Sequence, residues 1–125
     1  MCKEIRVSTL PKTWILDLDG TIVKHNGYKI DGYDTFLDGA EAFLHNIPEK
    51  DMVVFITSRQ DDCIAQTEEF LKEHQIRYDH IIYNAPYGER ILINDQKPSG
   101  LNMAVAVSTK RDHFFDIYFH EDETY

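Results

Sequence analysis

The chain has 125 residues, 42% hydrophobic and 28% charged, with 13 Lys and Arg against 22 Asp and Glu and a formal net charge of -9. Size and composition suit one globular domain over residues 1-125 and exclude a disordered or fibrous chain. The acidic balance excludes the basic footprint of a nucleic-acid binder and disfavours an anionic membrane surface.

The opening "MCKEIRVSTLPK" holds no apolar leader-like run, and no stretch reaches the ~20 apolar residues of a membrane span. A soluble, cytoplasmic protein is the expectation, with Cys2 and Cys63 as reduced thiols because they form no CxxC pair. The first predicted strand is Thr13–Leu16. A polar stretch of about 22-35, with Gly27, Gly32, Tyr28 and Tyr33, is too short for a domain and reads as a hairpin or flap. "TFLDGAEAFLHNI" then spaces Phe36, Leu37, Ala40, Phe43, Leu44 and Ile47 by three and four, predicting an amphipathic helix stopped by Pro48.

"MVVFI" (Met52–Ile56) predicts the second strand. "QDDCIAQTEEFLKEHQI" predicts a second helix with acidic residues in its first turn and Ile64, Thr67, Phe70 and Leu71 inward. Three further strands are expected at His80–Tyr83, Ile91–Ile93 and Met103–Val107. Alternation of strands and helices predicts an α/β fold with parallel strands, and the continuous apolar runs predict burial on both sheet faces. One link strains this order: "NAPYGER" joins the third and fourth strands, where a parallel neighbour needs a dozen or more residues. In the segment after Ser108, "FFDIYF" suits either an edge strand or a helix, and residues of about 119-125 read as a solvated acidic tail.

The chemistry gathers behind the strands. Side chains two apart on a strand point the same way, so Asp17 and Asp19 face one space past the end of the first strand. Thr57 and Ser58 follow the second strand, and Asn94 and Asp95 follow the expected fourth. In a parallel sheet all of these collect at the carboxyl edge, where open sheets bind ligands. Three carboxylates around one point repel unless a cation lies among them, and an all-oxygen set suits Mg²⁺. Asp17, Asp95 and the backbone at Asp19 are the expected metal site, which would supply the positive charge that an anionic substrate needs.

"DLDGT", then "FITSR", then "ILINDQKP" resemble motifs I, II and IV of the haloacid dehalogenase-like (HAD) phosphatases, spanning Ile15 to Pro98. The resemblance implies a Rossmann-like three-layer α/β/α sandwich and Mg²⁺-dependent hydrolysis of a phosphomonoester through an aspartyl-phosphate. It assigns Asp17 as nucleophile and Asp19 as general acid and base. Thr57 and the Ser58 backbone N–H would bind the transferring phosphoryl group, Asp95 would hold the metal, and Asn94 would orient it. The pattern departs at the basic residue that neutralises the phosphate: Lys97 is preferred, with Arg90 as the alternative. Short gaps between motifs imply a capless member with an open site, its substrate chosen by flap residues Lys24, His25, Tyr28 and Lys29, by Arg59 or by a neighbouring subunit. A small phosphorylated metabolite is expected, such as a sugar, polyol or amino-alcohol phosphate of surface-polysaccharide synthesis, with oligomerisation left open.

Two rivals stand beside the enzyme. A receiver-like phosphoacceptor domain shares the length, doubly wound sheet and Mg²⁺, but would place its acceptor aspartate where this chain has Thr57. A catalytically idle module of the same fold is the other. Taken singly, Thr57 reads as a helix N-cap, Asn94 as a turn residue, and Arg59 and Lys97 as solvated charges.

Overall fold

The computed structural model describes residues 3-124. Its elements, in order, are β1 (Lys3–Val7), β2 (Thr13–Leu16), α1 (Gly27–Ile30), α2 (Ala40–His45), β3 (Met52–Ile56), a 3₁₀ turn (Asp61–Cys63), α3 (Ile64–Glu73), β4 (His80–Ile82) and β5 (Ile117–Glu121). The fold is α/β with parallel strands in two open sheets, compatible with the expected Rossmann-like class. No helix among the described residues is long and apolar enough to cross a membrane. The chain divides into two compact units. One holds Pro11–Tyr87 and Thr109–Phe114, and the other the described residues of 1-10, 88-108 and 115-125.

The larger unit is built on a three-stranded sheet in the order β2-β3-β4, with Leu16 opposite Phe55 and Phe55 opposite Ile81. These three segments fall where the apolar runs predict them. Period-two alternation then sorts the side chains. Leu16, Val53 and Phe55 are buried in one apolar cluster with Ala40 and Leu44 of α2 and Leu71 of α3, flanked by Trp14 and Ile81. The opposite face is open: Ile15 is 53% exposed and Ile82 49%. Burial on both faces, expected from the continuous apolar runs, is therefore replaced by burial on one.

Helix α3 keeps the inward face its sequence predicts but begins at Ile64, so Asp61 and Asp62, expected in its first turn, lie in the 3₁₀ turn before it. Thr67 and Leu71 are the buried residues of α3, with Phe70 packed at the cluster margin. Helix α2 is shorter than the pattern allows because Gly39 precedes it in a left-handed conformation, φ 88°, a cost that glycine escapes. Phe36 and Leu37 thus lie before the helix and still pack on the core. The flap closes at its base, where Lys24 N–H donates to Thr35 O at 3.0 Å and Leu37 N–H to Ile22 O at 2.9 Å.

Two expected strands do not form. Residues 91-93 and 103-107 are irregular, and Ile91 and Ile93 are exposed. The seven-residue link after β4 is too short for a crossover to a parallel neighbour, and the alanines of "MAVAV" favour a strand weakly. The C-terminal segment resolves in favour of the strand. In the smaller unit β5 pairs parallel with β1, from Lys3 opposite Ile117 to Val7 opposite Glu121, so residues 119-121 of the expected tail are sheet. Arg6 and Asp122 form an ion pair beyond this ladder. Cys63 is a free thiol, and Cys2 lies outside the described residues.

At the amino ends of β2 and β3, one buried carboxylate ties the strands together. Asp51 accepts from Lys12 N–H through Oδ1 and from the Trp14 indole through Oδ2, each at 3.0 Å. Removing it leaves two donors without this acceptor in a largely dry corner. Asp51→Ala should lower the unfolding free energy by about 1–3 kcal/mol, read as a lower urea midpoint in the fluorescence of Trp14, the sole tryptophan. An unchanged midpoint would refute the clip.

Candidate functional site

Past β2 the chain turns sharply on "DLDGT". Leu18 is buried and its carbonyl accepts N–H bonds from Thr21, Ile22 and Val23. Its inward side chain leaves Asp17 and Asp19, one residue to either side, on the outer side of the turn. Gly20 lies at φ 83°, where an L side chain is strained, and an added Cβ would stand 3.1 Å from Arg111 Cγ. Asp17 Oδ2 accepts from the Thr21 hydroxyl at 3.0 Å. Segment Thr109–Phe114 returns to this loop: Asp112 N–H donates to Gly20 O at 2.8 Å, and Asp112 Oδ1 accepts from His25 N–H at 2.7 Å.

Past β3, the neighbouring strand, Thr57 is buried, and its hydroxyl oxygen accepts from Arg59 N–H at 3.1 Å. The acceptor role makes it the pivot of a local turn rather than a helix cap: Gln60 precedes the 3₁₀ turn and Cys63 precedes α3, neither with a side-chain cap. The hydroxyl proton of Thr57 remains available as a donor. Ser58 beside it is half-buried.

Arg59 differs most from its expected role. Its side chain is only 2% exposed and meets Asp34 of the flap, also 2% exposed, and Asp19, 18% exposed. Nε donates to Asp19 Oδ2 at 3.0 Å and Nη2 to Asp19 Oδ1 at 2.9 Å. Nη1 donates to Asp34 Oδ2 at 3.0 Å and to Thr67 Oγ1 at 2.9 Å, and Nη2 to Asp34 Oδ1 at 2.7 Å. The Tyr28 ring lies against the guanidinium, 4.2 Å from its carbon. Burial alone would lower the Arg59 pKa, but its bonds to Asp19 and Asp34 outweigh burial and hold it above the usual value. Arg59 is neither a solvated charge nor a residue turned toward a substrate. Asp34, Thr67 and Asp112 carry no motif in the sequence, and only the folded chain brings them to the site.

The remaining candidates belong to the smaller unit. Asn94, Asp95, Lys97 and Arg90 are exposed, in a stretch without strand structure. The Asn94 amide donates to the Asp95 carbonyl at 3.1 Å, and Lys97 opens a turn in which Gly100 N–H bonds its carbonyl at 2.8 Å. Asp95 therefore does not follow a strand, as the motif reading expected. Among the described residues no group of three or more His, Cys, Asp or Glu side chains is placed to hold a metal. Asp17 and Asp19 have the right oxygen chemistry for Mg²⁺, but the Asp19 carboxylate is engaged by Arg59. The residues assembled in the larger unit are an incomplete donor set.

No protein-family model and no curated protein matches the chain. Solved structures do. The structure of a Pnkp1/Rnl/Hen1 complex contains a chain 27% identical over 66% of this one, with a TM-score of 0.52. A structure of the Pnkp1/Rnl/Hen1 RNA repair complex matches at 28% identity over 69%, with a TM-score of 0.51. This chain spans 31% and 30% of those chains, less than a third of their length.

The flap carries its own pH signature. Burial first, and then the Cys63 thiol, push the Tyr28 phenol up from 10.0 to about 12. The folded form thus keeps a proton that the unfolded chain loses near pH 10, so the stability contributed at lower pH is lost as pH rises from about 10 toward 12. Tyr28→Phe should flatten that decline in urea unfolding at stepped pH, and an unaltered decline would refute the assignment.

Proposed function

We propose that the protein is a phosphomonoesterase in which Asp17 attacks the phosphorus of a small phosphorylated metabolite. One observation carries this reading: Asp17 and the Thr57–Ser58 pair follow the carboxyl ends of two adjacent, in-register parallel strands. A nucleophile and phosphate donors from different parts of the chain share one sheet edge in this way. A lone acidic turn would not require it.

In the first step the bond from Asp17 to phosphorus forms as the ester P–O bond breaks, and the departing alkoxide takes a proton from Asp19. In the second, water attacks the aspartyl-phosphate, gives a proton back to Asp19, and phosphate leaves. The Thr57 hydroxyl and the Ser58 N–H are the donors for the phosphoryl oxygens, whose charge grows in the transition state. Both Asp19 oxygens accept from Arg59, so a proton on Asp19 must take a lone pair that Arg59 leaves free, and it weakens the ion pair by removing the negative charge. Magnesium dependence belongs to the proposal, with Asp17 as the carboxylate of the larger unit that would hold the ion, and no step above is drawn through it. A cytoplasmic setting accords with the free Cys63 thiol.

A second substrate class comes from the structural neighbours, one of which is a chain of an RNA repair complex. A phosphorylated RNA end presents the same monoester chemistry, although a net charge of -9 works against a polyanion.

The decisive assay is phosphate release from sugar, polyol, amino-alcohol and nucleotide phosphates and a phosphorylated RNA oligonucleotide, with and without Mg²⁺. Wild type should turn over at least one class with Mg²⁺, and Asp17→Asn should lose roughly 10³-fold or more of kcat. Equal release by the two proteins would refute the reading. Stoichiometric phosphorylation without turnover would favour the receiver-like alternative, and no phosphorylation at all the idle module.

A further inference from the structure

A guanidinium has five N–H donors. In Arg59 all five are used: one from Nε to Asp19, two from Nη1 to Asp34 and Thr67, and two from Nη2 to Asp19 and Asp34. A side chain 2% exposed with every donor satisfied has none left for a substrate phosphate. Its acceptors instead belong to three pieces of chain: the loop after β2, the flap and α3. Tyr28, also of the flap, covers one face of the guanidinium. Among the described residues, the other ion pair of the flap is shallow. The Lys24–Asp31 pair within it, at 2.9 Å, is at the surface, where such pairs contribute little.

We propose that Arg59 is a positioning residue that fastens the flap of Tyr28 to Asp34 onto the Asp17–Asp19 loop. Asp34 is its indispensable partner. With Asp19 alone, Arg59 would brace the catalytic loop and leave the flap hanging by its base. With Asp34 alone, it would hold the flap and leave Asp19 to wander. The fork spans both because its planar geometry matches two carboxylates at once. Resting on the phosphomonoesterase reading, a consequence follows for selection: the fastened flap sets which esters fit, while Arg59 itself touches none of them.

Hydrogen exchange on the intact protein tests the clamp without any substrate. Asp34→Asn keeps the shape and removes the charge, and should speed exchange of the amides of residues 28–35 roughly tenfold or more, with β3 unaltered. Asp31→Asn, at the surface pair, should leave those amides at the wild-type rate. If Asp34→Asn does not fold, Thr67→Val reads the same amides with a smaller acceleration of about threefold. Unchanged flap exchange in the folded variant overturns the clamp, whatever the enzyme does. On the ester panel, Asp34→Asn should raise KM most for the preferred ester and narrow the spread of kcat/KM about tenfold, with kcat within about threefold of wild type. An equal fall of kcat for every ester at constant KM would overturn the selection role. Faster flap exchange in a protein that hydrolyses no ester would uphold the clamp, and the phosphomonoesterase reading and the selection role would fall together.

Discussion

A single cation buried between two carboxylates ties together the loop after β2, the flap and α3. Taking Arg59, Asp19 and Asp34 out of water is costly, and the cost is offset only because the five N–H donors and both carboxylates find one another in good geometry. Such a cluster tolerates loss of a member poorly: an uncompensated buried charge typically costs about 3–5 kcal/mol. The cluster therefore acts as a constraint more than as a source of stability. Wherever Arg59 goes, the loop after β2, the flap and the middle of α3 go with it.

That constraint is useful because of where the sheet places its ends. The register of β2 with β3 brings Asp17 and Thr57 to the same edge, and the buried Leu18 pins the loop from below. Local backbone bonds then finish the shape, with Gly20 supplying the positive φ and Asp112 capping its carbonyl. Packing beneath the sheet sets the level of the edge, and the polar cluster above it sets the directions of the side chains. Neither suffices alone, since an apolar core does not orient a carboxylate and a salt cluster needs a rigid floor.

The sheet also shows how much a strand owes to its neighbours. Three strands with helices on one face form a stable core around Phe55, and the same alternation leaves Ile15 and Ile82 in the open. An apolar run does not itself say which of its two faces is covered. That depends on how many strands and helices the rest of the chain provides, and segments 91-93 and 103-107 provide none among the described residues.

Much was legible in the sequence because its physics is local. Short apolar runs marked β2, β3 and β4, helical periodicity marked α3, and the spacing of Asp17 and Asp19 around an apolar residue put both on one side of the turn. Thr57 and Ser58 followed from their place directly after an apolar run, since strand ends in a parallel sheet share an edge. The rest depended on pairs far apart in the chain. Asp34 and Thr67 are 25 and 8 residues from Arg59, and nothing near either one announces a buried partner. Nor could the run "ILI" before Asn94 reveal that it lacks a strand to pair with, because a strand is stable only against another strand's hydrogen bonds. Sequence alone determined the elements with their own periodicity and the residue types at the sheet edge. Tertiary structure alone decided which charges neutralise one another, because a buried cation takes the acceptors that folding brings within about 3 Å, not those nearest in the chain.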